Sequence, residues 1–443
     1  MKMLKIYLKK NKEELIKELI KKDKAIKDKD KFIEKLEKEL KKYKNANTPS
    51  SANKHLKSTT QGLRAKKGAK CGAPKGHKGN TFIWPDINKI IDVIAKKCNQ
   101  CFGLNIEPTG YVKERKVICM IMPKIIIKKY RQYEYRCLDC NTLTLANHKD
   151  IPDKGIYDKN IQSLVNYLKF KGRMPFANVV DMMNNVFNTP MTEPTALEIT
   201  RRTSNKLELQ YNEIEEEIKK SNQVNADETS QSIMGENQWV WAFCNSLLSL
   251  FKINKQRGGD IVEKTLGKDF KGKLIVDGWS TYTVYSKKYD ILLQRCWAHL
   301  LREGKFELEK DFPHFYKWLN DIYIMAKKGK NYKQKKRREN MHHKCKEELK
   351  RLIASMKAHN KLRTFANKIE NGDDNWLTAI LYPELPLDNN LGERSIRPWV
   401  IMRKIIGCIR SDIGKKNYEI MMSLTSTWEK QEKNIFHTIQ HSL

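Results

Sequence analysis

Residues 222 to 276 constrain the fold of this chain most, because strand patterns and a helix pattern follow one another there in a fixed order. Three successive strands are predicted at Gln223 to Ala226, Gln238 to Asn245 and Leu247 to Ile253. The pattern then predicts a helix over Asp260 to Leu266 and a short buried strand over Lys273 to Val276. Strands and helices in this order indicate an α/β domain.

Two acidic residues mark the ends of two of these strands. Asp227 is predicted to end the first strand and Asp277 the fourth. This strand order opens a ribonuclease-H-like sheet, in which the two strands are neighbours, so we expect their carboxylates to lie together. Residues 300 to 374 are highly charged and are predicted to be a helical insertion. A helix after the insertion is expected to present Glu393 opposite the two aspartates.

The residue types predict a metal centre. Three carboxylates without Cys or His ligands nearby suit a hard cation, which means Mg²⁺, with Mn²⁺ as the usual substitute. Two such ions about 4 Å apart activate a water or a 3′-hydroxyl and stabilise the leaving oxygen of a phosphodiester displacement. We therefore predict Asp227, Asp277 and Glu393 as catalytic, metal-binding residues of a site that cuts and joins DNA strands.

The charge of the chain points to the same partner. The formal net charge is +34, and an excess of this size repels itself unless a polyanion is bound. A Lys-rich composition bias is the alternative, but it would spread the charge evenly. From Leu40 to Pro85 there are eleven Lys and Arg and no acidic residue. A second basic run extends from Ala326 to Arg338. The uneven charge favours nucleic-acid binding.

Basic residues also surround Glu393. The predicted DNA-binding residues of this segment are Arg394, Arg397, Arg403 and Lys404. Arginine forks match phosphate oxygens in pairs, which makes such a cluster suitable for holding a DNA strand. A surface ion pair between Glu393 and Arg397, four residues apart, is the alternative. Pro398 is expected to end or kink the helix, and Asn390 is expected to support the site by capping the helix or contacting DNA.

The N-terminal 85 residues are predicted to be a helix followed by a linker. A four-three spacing of seam positions predicts a short coiled coil within residues 1 to 44, with Lys22 and Lys29 also on the seam. A single solvated helix is the alternative. Residues 45 to 85 have few large apolar residues and are predicted to be a flexible basic linker. Lys75, His77 and Lys78 in this linker are further predicted DNA-binding residues.

Residues 86 to 150 are predicted to form a zinc ribbon. Cys98-x-x-Cys101 and Cys137-x-x-Cys140 have the spacing of two zinc knuckles, and one structural Zn²⁺ is predicted between them. The residues from Tyr111 to Tyr135 are predicted to form two strands. Four incidental thiols are the alternative. No signal peptide or membrane span is predicted, so cytoplasmic thiols or metal ligands are expected rather than disulfides.

Residues 151 to 221 are predicted to be helical. The expected helices cover Asn160 to Phe170, Pro175 to about Phe187, and Glu193 to Lys220, the last capped by Thr192. They form either a helix-turn-helix that binds DNA or a plain helical spacer. Further along the chain, Cys296-Trp297-Ala298-His299 is interpreted as core packing, or as a motif that places His299 near the metal site as a supporting residue.

The ordered motifs resemble those of one known family, the transposases of the insertion-sequence-66 family of bacterial and archaeal mobile elements. The resemblance covers most of the chain and rests on a Thr-Pro-Ser-Ser linker, a Gly-x-x-x-Gly-His-x-Gly motif, the four cysteines and five later motifs. These later motifs lie at Ala226 to Thr229, Asp277 to Tyr282, Cys296 to His299, Asp388 to Pro398, and Arg403-Lys404.

The resemblance implies a DDE transposase with Asp227, Asp277 and Glu393 as its metal-binding triad. It also implies binding to the terminal inverted repeats of an insertion sequence and insertion into target DNA. Accessory proteins of the same element and a homo-oligomer are expected partners. A catalytically inactive or repurposed DNA-binding protein is the alternative function, and a nuclease that only hydrolyses DNA is a third possibility.

The predicted fold class is multidomain α+β. It combines an N-terminal coiled-coil helix, a zinc ribbon, a helical region, and a ribonuclease-H-like α/β catalytic domain with a helical insertion. The catalytic domain is assigned to residues 222 to 299 and 375 to 431, with helix Asn417 to Lys430 closing it and residues 432 to 443 as a tail. The expected location is the cytoplasm, in association with the nucleoid, and no membrane partner is expected.

Overall fold

The computed structural model describes residues 17, 21–24, 26–30, 32–33, 86–87, 89–97, 99–118, 125–258 and 260–443. The chain consists of two compact units, Met1–Met122 and Pro123–Leu443. The predicted linker lies outside the described residues, as do Lys75, His77, Lys78 and Cys98. Most of the predicted coiled coil lies outside them too.

The described part of the first unit contains isolated helical residues and an irregular segment. The described residues between 17 and 33 are helical and exposed, including Ile26 and Ile33 on the predicted seam. The described residues between 86 and 118 contain no helix or strand. The prediction of two strands within Tyr111 to Tyr135 is therefore wrong for the described residues 111–118 and 125–133. Strand propensity measures packing on a half-buried pleated surface, and side chains such as Val117 are exposed here.

The second unit begins with a small hairpin. Strands β1 (Glu134–Arg136) and β2 (Leu143–Leu145) pair antiparallel, with Glu134 opposite Leu145. Cys137 and Cys140 lie in the turn between them. The Cys137 backbone N–H donates to the Thr142 carbonyl at 2.8 Å, and the Asn141 N–H donates to the Cys137 carbonyl at 2.9 Å. The second cysteine pair thus belongs to a closed turn.

Four helices follow the hairpin. They are α1 (Lys159–Asn166, continuing as one π-helical turn to Lys171), α2 (Phe176–Asn185), α3 (Glu193–Lys206) and α4 (Glu208–Lys219). Thr192 caps α3 by accepting from the Thr195 N–H, as predicted. The single helix expected from Glu193 to Lys220 is wrong, because the chain bends at Leu207. That side chain is buried in the core of the sheet, and neither Gly nor Pro marks the break in the sequence.

A mixed sheet forms the centre of the second unit. Its main strands are β3 (Gln223–Ile233), β4 (Glu236–Cys244), β5 (Ser249–Asn254), β6 (Lys273–Val276) and β7 (Leu293–Arg295). Their spatial order is β5-β4-β3-β6-β7, antiparallel among the first three and parallel from β3 to β7. Helix α5 (Asp260–Leu266) connects β5 to β6, and helix α6 (Ser280–Tyr289) connects β6 to β7. The strand–helix order is therefore the predicted one.

Strand β3 is longer than predicted. The prediction that Asp227 ends the first strand is wrong, because β3 pairs with β4 as far as Ile233 opposite Glu236. The polar run after Asp227 lacks the alternation of a half-buried strand and looks like a loop in the sequence. Met234 and Gly235 close the hairpin with φ values of 51° and 84°, a left-handed turn that matches strand twist. Asp227 therefore lies within a strand that is paired beyond it.

A helical insertion follows β7. It contains α7 (Trp297–Leu308), α8 (Pro313–Lys330), α9 (Lys335–Lys357), α10 (Arg363–Glu370) and α11 (Thr378–Leu381). Two 3₁₀ turns flank α10. These elements share a hydrophobic core with Ile275 of β6. The insertion is thus helical, as predicted, and it packs on the sheet.

The chain then returns to the sheet through α12 (Asn390–Ile406), a short strand β8 (Cys408–Ile409) beside β3, and α13 (Asp412–Lys430). Helix α12 continues through Pro398 and does not end there, contrary to one form of the prediction. The predicted tail contains helix α14 (Ile435–Ser442), whose Ile439 is fully buried. Within the described residues, no helix is both long and apolar enough to cross a bilayer.

Candidate active site

The parallel pairing of β3 and β6 determines where the two aspartates lie. The last paired residues are Asn225 and Ile275. Asp227 lies two residues after Asn225 on β3, and Asp277 lies two residues after Ile275, just beyond the end of β6. Asp277 leaves the strand end, and its Oδ1 accepts the backbone N–H of Trp279 at 2.9 Å. The expectation that these carboxylates come from neighbouring strands is therefore correct.

Negative charge accumulates around Asp227. Burial, together with the nearby carboxylates of Glu228, Asp277 and Glu393, raises the pKa of Asp227 to about 7. Asp277 and Glu393 therefore lie near enough to Asp227 to repel its charge, although the ligand atoms of these three residues do not all lie within 4.8 Å of one another. A divalent cation is the group that relieves such repulsion, and the three carboxylates offer the oxygen donors that a hard cation such as Mg²⁺ prefers.

Glu393 approaches from the first turn of α12. Its Oε1 is buried and makes no hydrogen bond in the described residues. It lies 3.5 Å from Nε2 of His299, on α7. An unsatisfied carboxylate oxygen is costly to bury, so this atom is available to a metal ion. Helix α12 and the insertion thus meet beside the two aspartates.

Cys296, His299 and Glu393 form a second arrangement of ligand atoms. Among the described residues, these three form the one group of His, Cys, Asp or Glu whose ligand atoms all lie within 4.8 Å of one another. Burial raises the pKa of the Cys296 thiol, and its Sγ accepts the Asn389 backbone N–H at 3.1 Å. Burial works against a metal-binding thiolate, and the hydrogen bond from Asn389, which favours the thiolate, offsets it only in part. The motif therefore combines core packing at Cys296 with a histidine beside Glu393.

Glu228 is a fourth carboxylate, which the sequence interpretation did not assign. Its side chain is only 1% exposed. Arg257 donates to Oε1 through Nε at 3.1 Å and through a terminal nitrogen at 2.6 Å, and the Tyr282 hydroxyl donates to Oε2 at 2.8 Å. These donors compensate a buried charge directly beside Asp227.

Arg257 is itself held by two aromatic rings. Its guanidinium carbon lies 4.4 Å from the ring centre of Trp239 and 3.6 Å from that of Trp279. Such cation–π stacking fixes a guanidinium plane. The backbone N–H of Trp279 also donates to Asp277. The contacts from Glu228 through Arg257 to Trp279 therefore connect strand β3 to the loop that contains Asp277. We call these three residues the acidic-loop clamp.

Asn389 connects three parts of the site, and it is fully buried. Its side chain donates to the Ala226 carbonyl at 2.8 Å and accepts from Asn225 at 2.7 Å. Its carbonyl accepts the Glu393 N–H at 3.0 Å. Glu393 is thereby tied to the residue before Asp227. The predicted supporting residue Asn390 is exposed instead, and its N–H donates to Asp388 at 3.1 Å.

The predicted phosphate-binding residues of α12 separate into two groups. Arg394, Arg397 and Lys404 are exposed. Arg403 is half-buried and donates to the Thr229 hydroxyl at 2.9 Å and to the Ser230 hydroxyl at 3.0 Å, so it joins α12 to β3. Glu393 and Arg397, both on the described helix, make no ion pair with each other. The two side chains are therefore free to act separately.

The described cysteines of the predicted zinc ribbon are not enclosed. Cys101 and Cys140 are exposed, and Cys137 is half-buried. In the second unit, Cys140 Sγ lies 2.9 Å from the Thr142 hydroxyl. Hydrogen bonds from Thr142, and then from Cys137, lower the pKa of the Cys140 thiol. A thiol whose pKa is lowered ionises more readily, and a zinc ligand must be ionised.

The sequence signals for the missed residues were weak. Glu228 is adjacent to Asp227, but alternation places neighbouring strand residues on opposite faces, so only the structure shows its contact with Arg257. Arg257 lies in an irregular segment whose tryptophan partners are distant in sequence. Asn389 has no distinguishing signal in the sequence, and its role inside the core depends on the packing of three separate segments.

Comparison with known proteins gives the chain its class. The model of the transposase IS66 family matches residues 154–417, a range that includes Asp227, Asp277 and Glu393. This range is more than half of the chain, so the chain belongs to the IS66 family of transposases. No curated protein matches it. Membership in a DDE transposase family implies DNA binding, divalent metal use and an enzyme of transposition.

Proposed function

We propose that this protein catalyses metal-dependent DNA strand cleavage and strand transfer at the terminal inverted repeats of an insertion sequence. The observation that supports the proposal is that Asp227 and Asp277 follow the same register position on two adjacent parallel strands, while Glu393 on the first turn of α12 lies near enough to contribute to the raised pKa of Asp227, about 7. The strand order also supports a ribonuclease-H-like catalytic domain.

In this proposal Asp227, Asp277 and Glu393 hold Mg²⁺ or Mn²⁺, two ions per site. When bound, such ions supply an activated water or 3′-hydroxyl and stabilise the leaving oxygen. The side chains of the site fix the positions of the donors. Asn389 orients the start of α12 and so Glu393, and the acidic-loop clamp orients the backbone around Asp277.

DNA would reach this site along the exposed face of α12. Arg394, Arg397 and Lys404 are exposed there and are proposed to bind the phosphates of the strand being cut. The sequence alone supports a further proposal for the N-terminal part, in which the basic linker binds DNA through Lys75, His77 and Lys78. One structural Zn²⁺ at Cys98, Cys101, Cys137 and Cys140 is likewise proposed from their spacing.

The activity is tested with a labelled duplex that carries the end of the protein's own element. We expect nicking and joining with Mg²⁺ or Mn²⁺ for the wild type, and loss of both for Asp277→Asn, with DNA binding retained. Asp269→Asn, the same substitution at an exposed aspartate, is the matched control, and it should cleave normally.

Each outcome has a meaning for the proposal. DNA binding without cleavage by the wild type, even after the accessory proteins of the element are added, would favour the inactive or repurposed DNA-binding protein. Nicking without joining would favour a nuclease that only hydrolyses. Full activity of Asp277→Asn would remove this residue from the site.

A further inference from the structure

The turn between α8 and α9 concentrates positive charge far along the chain from the predicted catalytic residues. Ala326–Arg338, here called the basic turn, contains eight Lys and Arg and no acidic residue. Its exposed cations are Lys327, Lys328, Lys333, Lys335, Lys336 and Arg337. The predicted active site does not account for this surface.

These cations are largely uncompensated. Within the described residues, only Lys335 among the exposed cations of the basic turn has a carboxylate partner, Glu339 at 3.8 Å. The later part of the same helix differs. Four of its five cations pair with carboxylates at 2.5 to 3.0 Å, and of the five only Lys344 has no such partner among the described residues. The pairs are Lys346 with Asp374, Lys350 with Glu347, Arg351 with Glu348, and Lys357 with Glu370. A merely solvated charged helix would not divide in this way.

The location of the charge works against helix stability. The first turn of α9 carries Lys335, Lys336, Arg337 and Arg338 and no acidic residue. Cations are disfavoured at a helix N-terminus, where the helix dipole is positive. The flanking residue Gln334 makes no capping hydrogen bond with its side chain. Lys327, Lys328 and Lys330 lie in the last turn of α8, where cations are favourable. The four cations that begin α9 gain nothing from their position, so a bound anion is the simplest reason for them.

The basic turn has a fixed shape. At Gly329, a β-carbon would lie 2.4 Å from Met341 Cγ, so α8 and α9 approach each other closely there. Arg338 donates to the carbonyls of Tyr332 and Lys333 at 3.0 and 2.9 Å and thereby holds the turn from inside. The remaining cations are therefore presented on a rigid helical hairpin.

We propose that the basic turn binds the sugar–phosphate backbone of duplex DNA. This inference rests on the proposed function and adds a second DNA surface to that of α12. Lysine-rich surfaces provide point charges that suit phosphates rather than base edges, so the contact is independent of sequence. Protein interfaces are depleted in lysine and enriched in aromatic residues, which favours DNA over an acidic protein as the partner.

The chain offers a matched pair of variants. Lys336→Gln/Arg337→Gln removes two charges from the basic turn. Lys350→Gln/Arg351→Gln removes the same residue types, in the same order, from the paired part of the same helix. Binding of the full chain to a fluorescent duplex of unrelated sequence is measured by anisotropy over a range of salt concentrations.

We expect the first variant to lower the slope of log K against log salt by about 2, since each lost phosphate contact lowers it by about 1. Its affinity should fall by a similar factor for the element end and for unrelated DNA. The control should keep the wild-type slope. The unfolding temperature of the first variant should be unchanged or higher, because cations leave a helix N-terminus.

Two outcomes overturn the inference. Equal losses in both variants would show a general effect of net charge, and unchanged binding of the first variant would assign the basic turn to an anion other than DNA. The proposed function is tested separately by the wild type. If the wild type binds and cleaves the element end while Lys336→Gln/Arg337→Gln keeps its slope, only this inference fails. If the wild type neither binds nor cleaves DNA, the proposed function fails.

Discussion

At the scale of single residues, the site is a concentration of carboxylates whose charges are only partly compensated. Glu228 receives hydrogen bonds from Arg257 and Tyr282, whereas Glu393 leaves a buried oxygen without one. Asp227 is intermediate, because its carboxylate accepts one backbone N–H, from Glu228, while burial is the main cause of its raised pKa. The site is therefore built to hold its carboxylates together at some cost in stability, a common feature of functional sites.

The acidic-loop clamp makes a prediction about a pair of residues. Glu228→Gln and Arg257→Met should each lower the free energy of unfolding by about 2 kcal/mol. Each substitution removes the charged hydrogen bonds between Arg257 and Glu228 and leaves the other residue without its partner. The double variant should lose less than the sum of the two, which chemical denaturation measures through a double-mutant cycle. Additive losses would mean that the two residues act independently.

The buried position of Asn389 leads to a prediction for which the neighbouring Asn390 provides the control. Asn389→Ala should lower the free energy of unfolding by about 3 kcal/mol, because the Asn225 amide and the Ala226 carbonyl lose their buried partner. It should also slow DNA cleavage at least tenfold while sparing DNA binding, since Glu393 is displaced. Asn390→Ala, on the exposed adjacent position, should change stability by less than about 0.5 kcal/mol. Equal effects of the two substitutions would contradict the assignment.

At the scale of elements, the sequence predicted the order of strands and helices in the sheet. Helix Asp260–Leu266 and strand Lys273–Val276 have the predicted bounds, and both are short segments with a glycine close to each end in the sequence. The polar second half of β3 was missed, since its pairing depends on β4 and β8 rather than on its own pattern. The break at Leu207 was missed because burial against the sheet, not a helix breaker, produces it.

The cysteine turn makes a prediction at this scale. Cys137→Ser should remove the zinc bound by the purified protein, which is predicted to be about one ion per chain. The hairpin β1–β2 should then lose protection in hydrogen exchange, because structural zinc contributes folding free energy directly. Cys408→Ser is the control, since this half-buried thiol has no second cysteine three residues away. Equal zinc content in both variants would refute the ribbon.

At the scale of the whole molecule, the second unit brings together segments that are far apart in sequence. Glu393 reaches Asp227 only because α12 returns to β3 after the insertion, and Asn389 and Arg403 fasten that return. The three catalytic residues could be predicted from the sequence, because their motifs are distinctive, and their catalytic role stays a prediction. Their supporting residues could not, since Glu228, Arg257 and Asn389 acquire their roles only through packing between distant segments.

The most direct test of the account is whether the three carboxylates hold divalent cations. Mn²⁺ is titrated into the full chain bound to its element end and followed by electron paramagnetic resonance, beside Asp277→Asn and the exposed control Asp269→Asn. We predict up to about two bound Mn²⁺ per chain for the wild type and the control. Asp277→Asn should bind fewer while remaining folded and bound to DNA. Identical Mn²⁺ binding by all three proteins would contradict the account.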